Sequence, residues 1–172
     1  MDERRILTNM TNKPYRKNVG MVVFNSLGKV IVGERIQFPG SWQFPQGGID
    51  EEEDYLEAAK RELYEELGIK KAIYVTEYPD WIPYDFPNSL GLNSHLQKFR
   101  GQLQRWILFF WDGELEECDL VHHEQEFLTV IHMEIEDTIE AVVDFKRPVY
   151  EKFVPLFKSA IQNYIAENVK SK

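Results

Sequence analysis

Cysteine is almost missing from this chain: Cys118 stands alone among 172 residues, so no internal disulfide can form. That scarcity suits a reducing compartment, and a cytoplasmic location is expected. No run approaches eighteen apolar residues, which excludes a membrane-spanning helix. The opening "MDERRILTNMTNKPYRKN" has no apolar core and does not read as a secretory signal. Positive charge is also in deficit, with 20 Lys and Arg against 29 Asp and Glu. A net charge of −9 opposes a broad nucleic-acid footprint and argues against DNA as a partner, but leaves room for a small anionic substrate in a locally basic pocket. There are no repeats, low-complexity blocks or Ser/Pro linkers. One domain over 15–172 is expected, preceded by a flexible segment at 1–14, and a monomer is the expected state, with oligomers left open.

Negative charge, by contrast, is concentrated. "GGIDEEEDYLEAAKRELYEELGI", Gly47 to Ile69, holds nine carboxylates in 23 positions. The spacing predicts a helix over Tyr55–Leu67, stopped by Gly68. Glu62, Glu65 and Glu66 fall on one arc of it, being related by i, i+3 and i+4, while Leu56, Ala59, Leu63 and Leu67 fall on another suited to the core. Like charges at these spacings repel, whereas a hard divalent cation favours clustered oxygen ligands. A bare acidic helix face is usually only solvated surface. Here it follows the glycine-rich "FPQGG", which can bring backbone carbonyls to the same ion.

Around the helix, Val19–Asn25 and Lys29–Arg35 read as a hairpin about "SLG". "IQFPGSWQFPQGG" reads as loop, Lys71–Tyr78 as a strand, and the proline-rich 79–101 as a long irregular loop. Leu103–Gly113 and Glu126–Met133 read as strands, and 147–169 as an amphipathic helix that Pro155 would kink or delay. The order implies an α+β or layered domain with a mixed sheet.

The 23-residue stretch resembles the Nudix box, with every defining position filled: Gly47, Glu53, then Arg61-Glu62-Leu63-Tyr64-Glu65-Glu66-Leu67-Gly68-Ile69. The resemblance extends through "YRKNVGMVVFN", "SWQFPQGGID", "GQLQRWILFF", Glu126-Phe127 and "VVDFKRPVYEKF". This set is similar to the bacterial RNA pyrophosphohydrolases and the related dinucleoside polyphosphate hydrolases of bacteria and plants.

The resemblance implies an α/β/α sandwich, with Mg²⁺ or Mn²⁺ held by Glu62, Glu65, Glu66, Glu126 and the carbonyl of Gly47. Glu53, Arg61 and Gly68 would be structural. The general base would be Glu62 or Glu126. Phe145 would stack on a base with Arg35 on its opposite face, Arg16 and Lys146 would lie at the phosphates, and Tyr84 would belong to the substrate site. The implied reaction removes pyrophosphate from 5′-triphosphorylated RNA ends. The alternative is hydrolysis of diadenosine polyphosphates, with the loop containing "WIPYDFP" touching the second nucleotide. A third reading, a nucleotide-sensing module without catalysis, is disfavoured because no box glutamate is missing. His122 and His123 read as solvent-exposed, Cys118 as inert, and Trp81, Trp106 and Trp111 as packing residues.

Overall fold

In a computed structural model, residues 12–88 and 90–169 are described. The expected flexible segment therefore lies outside the description up to residue 11. Strand β1 (Tyr15–Phe24) has seven consecutive buried residues because it runs through the middle of the sheet, covered on both faces. Val19, Met21 and Val23 enter one apolar layer, and Val22 and Phe24 the other. β1 pairs in parallel with β7 (Gly101–Phe110), from Tyr15 opposite Gly101 to Phe24 opposite Phe110. Every other pairing is antiparallel, so the sheet is mixed as expected. β2 (Val30–Arg35) meets β1 at Phe24–Val30, beyond a turn where Gly28 has φ 77°, and then diverges to pair with β3 (Trp42–Gln43) and β8 (Phe127–Met133).

Two regions read as loop contain strand. β4 (Gln46–Gly48) joins β1 opposite Asn18–Gly20, and β6 (Ile82–Asp85) joins β7 opposite Gly101–Gln104. Their glycines and prolines suggested breaks, but the partner strands supply the pairing that local propensity does not. β5 (Ile73–Glu77) falls inside the expected strand.

Helix α1 (Tyr55–Leu67) matches its expected bounds. Gly68, at φ 72°, returns its N–H to the Tyr64 carbonyl, and Ile69 caps onto Leu63. Its buried face is Ala58, Ala59, Leu63 and Leu67, with Leu56 only half-buried. After the short α2 (Thr138–Ala141), α3 (Arg147–Asn168) covers the opposite face of the sheet. Pro155 neither delays nor ends α3. It lies on the exposed side, so the Glu151 carbonyl it cannot bond faces solvent. No helix among the described residues is long and apolar enough to cross a membrane.

Beneath α3, Trp106 stacks on Phe153 with centroids 4.1 Å apart, while Phe44 and Tyr150 close the cluster. Gly20 lies against that indole: a Cβ there would stand 2.5 Å from Trp106. Gly20→Ala is therefore expected to cost about 2 kcal/mol through overpacking. A calorimetric scan would register this as a fall of about 6 °C in Tm.

Candidate functional site

Three pieces of chain converge on one cleft. The α1 arc supplies Glu62 and Glu66, β4 supplies Gln46, Gly47 and Gly48, and the segment before β8 supplies Glu124 and Glu126. Arg16 and Asn18 of β1 and Gln102 of β7 complete a cleft of about 320 Å³. Glycines at 47 and 48 leave room for side chains of the cleft. A Cβ on Gly47 would overlap the Glu62 carboxyl group, and one on Gly48 would overlap the Arg16 guanidinium.

The carboxylates are crowded. Oε2 of Glu66 is fully buried and has no hydrogen-bond partner. Burial, followed by the charges of Glu62 and Glu126, pushes the Glu66 carboxyl well above its ordinary range, while the Gln46 backbone N–H partly offsets this. Glu62 is raised to about 7, chiefly by burial, against the opposing pull of Arg61. Neutral carboxyls are what burial favours, and a cation would reverse that balance.

Arg61 braces the cluster. Its Nε and Nη2 donate to both oxygens of Glu53, at 2.9 and 3.0 Å, and Nη2 also reaches the Gly48 carbonyl at 3.0 Å. The expected Glu53–Arg61 pair is therefore present, but Arg61 does more. Nη1 donates to Glu62 at 2.9 Å and to Glu65 at 3.0 Å. Glu65 is thus turned onto Arg61, outside the cleft lining, with His123 3.8 Å away. Among the described residues, no three His, Cys, Asp or Glu side chains stand in metal-ligating geometry.

A second cavity of about 310 Å³ opens beside the cleft and shares Arg35, Gln37, Gln46, Asn93, Leu96 and Gln102 with it. Its walls are aromatic: Phe145 lies 6.0 Å from Tyr84 and 6.4 Å from Phe38. Phe145 sits in a 3-10 turn (Asp144–Lys146) rather than a strand. Arg35 covers the Phe38 ring, at 5.8 Å, and its Nη2 pairs with Glu126 at 3.3 Å. Lys146 lines the aromatic cavity, is only 5 % exposed, and donates to Gln43 Oε1 at 3.1 Å. Burial and then Arg35 lower its amine to about 7, opposed by Glu66.

Sequence reasoning assigned no role to Asn18, Phe38, Gln43, Gln46, Gln102, Gln104 or Glu124. The available signal was "GQLQ", where two polar residues at i and i+2 of an apolar strand fall on one face. The remaining residues have quieter places. His122 packs on Tyr64, and burial raises the Cys118 thiol to about 11, leaving it unreactive.

A family model described as the NUDIX domain matches residues 14–155. An RNA pyrophosphohydrolase of Bartonella henselae is 39% identical over 168 residues, covering 91% of this chain and 97% of that protein. The chain belongs to the Nudix family. It is a Nudix hydrolase, and members of this family generally use divalent metal ions. Nudix hydrolase 27, chloroplastic, of Arabidopsis thaliana is 42% identical over 149 residues, covering 83% of this chain and 66% of that one. Among solved structures, the fold matches the E. coli dihydroneopterin triphosphate pyrophosphohydrolase with TM-score 0.62 at 18% identity, over 84% of this chain and 99% of that one. A C. elegans Ap4A hydrolase complex matches with TM-score 0.59 at 21% identity, over 84% and 98%. At those identities the likeness concerns the fold alone, and it agrees with the expected α+β sandwich.

Proposed function

We propose that this Nudix hydrolase removes pyrophosphate from 5′-triphosphorylated RNA ends, leaving a 5′-monophosphate. The observation that carries this reading is the continuity of an acidic, arginine-flanked cleft with one aromatic cavity, a layout suited to a polyphosphate attached to a single recognised base. The names of the bacterial relatives support the same substrate class.

The donor set fits a hard divalent cation, with Mg²⁺ proposed. Glu66 has a buried oxygen without a partner, and its neighbours are carboxylates. Glu62, Glu66, Glu126 and the Gly47 carbonyl would hold the ion, joined by Glu65 on its release from Arg61, while Glu53 remains as the partner of Arg61. When bound, the ion supplies neutralisation of the phosphate oxygens and acidifies water. The chain's own groups do the rest. Arg16 orients phosphate from the cleft wall, and Phe145 and Phe38 offer faces to a base, a contact worth roughly 1–3 kcal/mol and tolerant of base identity. Glu62 or Glu126 takes the proton of the attacking water, both carboxylates lining the cleft. A cytoplasmic site of action accords with this substrate.

The test is a competition in Mg²⁺ between a short 5′-triphosphorylated RNA and diadenosine tetraphosphate at equal concentration, which reads the ratio of kcat/KM directly. RNA is expected to win by about tenfold or more, about 1.4 kcal/mol. A preference for the dinucleotide would reassign the 86–99 segment to a second nucleoside.

A further inference from the structure

Beneath the cleft, β1, β7 and β6 carry Arg16, Gln102 and Tyr84 side by side, with Asn18 and Gln104 one step further along. Their hydrogen bonds have only one workable polarity. An indole and a guanidinium can donate but never accept. Trp106 Nε1 donates to Gln104 Oε1 at 3.3 Å, so Gln104 Nε2 must face the other way, where it meets Asn18 Oδ1 and Gln46 Oε1, each at 2.8 Å. Arg16 Nη1 donates to Gln102 Oε1 at 3.0 Å, so Gln102 Nε2 donates to the Tyr84 oxygen at 2.6 Å. Gln46 Oε1 is thereby committed to Gln104. Reversing any amide would set donor against donor in a buried network, where an unmatched group costs roughly 1–3 kcal/mol.

The Tyr84 oxygen therefore accepts from Gln102, whose own Oε1 is taken by Arg16, so the phenol proton cannot return to that amide and is turned toward the cavity that Tyr84 lines. We propose that Gln102 is a positioning residue that commits the Tyr84 hydroxyl to donate outward, to a nucleotide acceptor where the phosphate cleft meets the aromatic cavity. The proposal rests on reading that cleft as a nucleotide site. Burial keeps the phenol protonated, raised to about 12, so the donor persists across the working pH range.

The experiment is a double-mutant cycle of Gln102→Glu with Tyr84→Phe, read as the Kd of adenosine triphosphate in Ca²⁺ by calorimetry and as KM and kcat on triphosphorylated RNA. A glutamate at 102 still accepts from Arg16 but cannot donate to Tyr84, whose hydroxyl then turns inward. Each single variant is expected to raise Kd and KM about tenfold, with kcat little changed. In the Tyr84→Phe background, Gln102→Glu should add nothing. An equal cost in both backgrounds would mean that Gln102 acts through Arg16, and the relay would be wrong. No effect of Gln102→Glu, or no binding of the nucleotide by the unaltered protein, would overturn it equally. Should melting curves show Gln102→Glu unfolded, Tyr84→Phe alone still decides, since an unchanged Kd and KM would mean that the hydroxyl makes no outward donation. Coupled binding in a protein that cleaves no triphosphorylated RNA would retain the relay and remove the proposed reaction instead.

Discussion

Glu66→Gln is expected to lower hydrolysis by at least about 1000-fold while making the metal-free protein more stable. The two effects share one cause. Glu66 is buried beside Glu62 and Glu126 with one oxygen lacking any partner, so its charge is a liability until a cation arrives. Charge stabilisation by a bound ion is worth several kcal/mol in the transition state, and about 4 kcal/mol corresponds to that thousandfold. The pH dependence follows from the direction of the shift. A carboxyl raised on folding binds its proton more tightly in the native protein than in the unfolded chain. Its contribution to stability is complete below the unfolded value and is lost as pH rises through the folded one. In chelator, Tm of the unaltered protein should fall from acidic pH toward neutrality. The Glu66→Gln variant should fall less, retaining the slope due to Glu62, which is raised to about 7. Mg²⁺ should raise Tm of the unaltered protein and not of the variant. Unaltered turnover by Glu66→Gln would remove Glu66 from the metal site.

Arg61→Ala is expected to cost about 100-fold in kcat/KM and about 2 kcal/mol in stability. One guanidinium holds Glu53, Glu62 and Glu65 together with the Gly48 carbonyl, so its removal strands three carboxylates at once. Groups that orient metal ligands typically contribute 10–100-fold, roughly, to affinity or activity. Arg61 is 29% exposed, which places the stability cost below the roughly 3–5 kcal/mol of a buried pair. Arg61→Lys should recover little, because an ammonium cannot grip both oxygens of Glu53 and still reach the other partners. Denaturant melts and Mg²⁺ titrations of activity check both claims, and a fully active lysine variant would contradict them.

The acidic arc and its helix were legible because their geometry is local: Glu62, Glu65 and Glu66 follow from the helical repeat, and Gly68 announces the stop. Glu126 was reachable only through family resemblance, since nothing near residue 126 signals that it faces a helix sixty residues earlier. β4 and β6 were hidden because their pairing energy comes from β1 and β7. The protein partners of Arg35 and Lys146 were not legible. Arg35 meets Glu126 and Lys146 meets Gln43, pairings that no local pattern specifies. The amide floor was least legible, because a glutamine in a strand acquires meaning only from the donors opposite it.

The parallel junction of β1 with β7 also sets an order of events during synthesis. Arg16 and Gln102 are neighbours in the sheet but 86 positions apart in the chain. At typical ribosomal speeds the second strand emerges on the order of ten seconds after the first. Through that interval a strand with seven consecutive buried residues has one edge without its permanent partner, the state in which nascent chains stick to one another. The floor of the cleft thus comes into being only when that edge closes, so active enzyme and protection from aggregation arise in a single step.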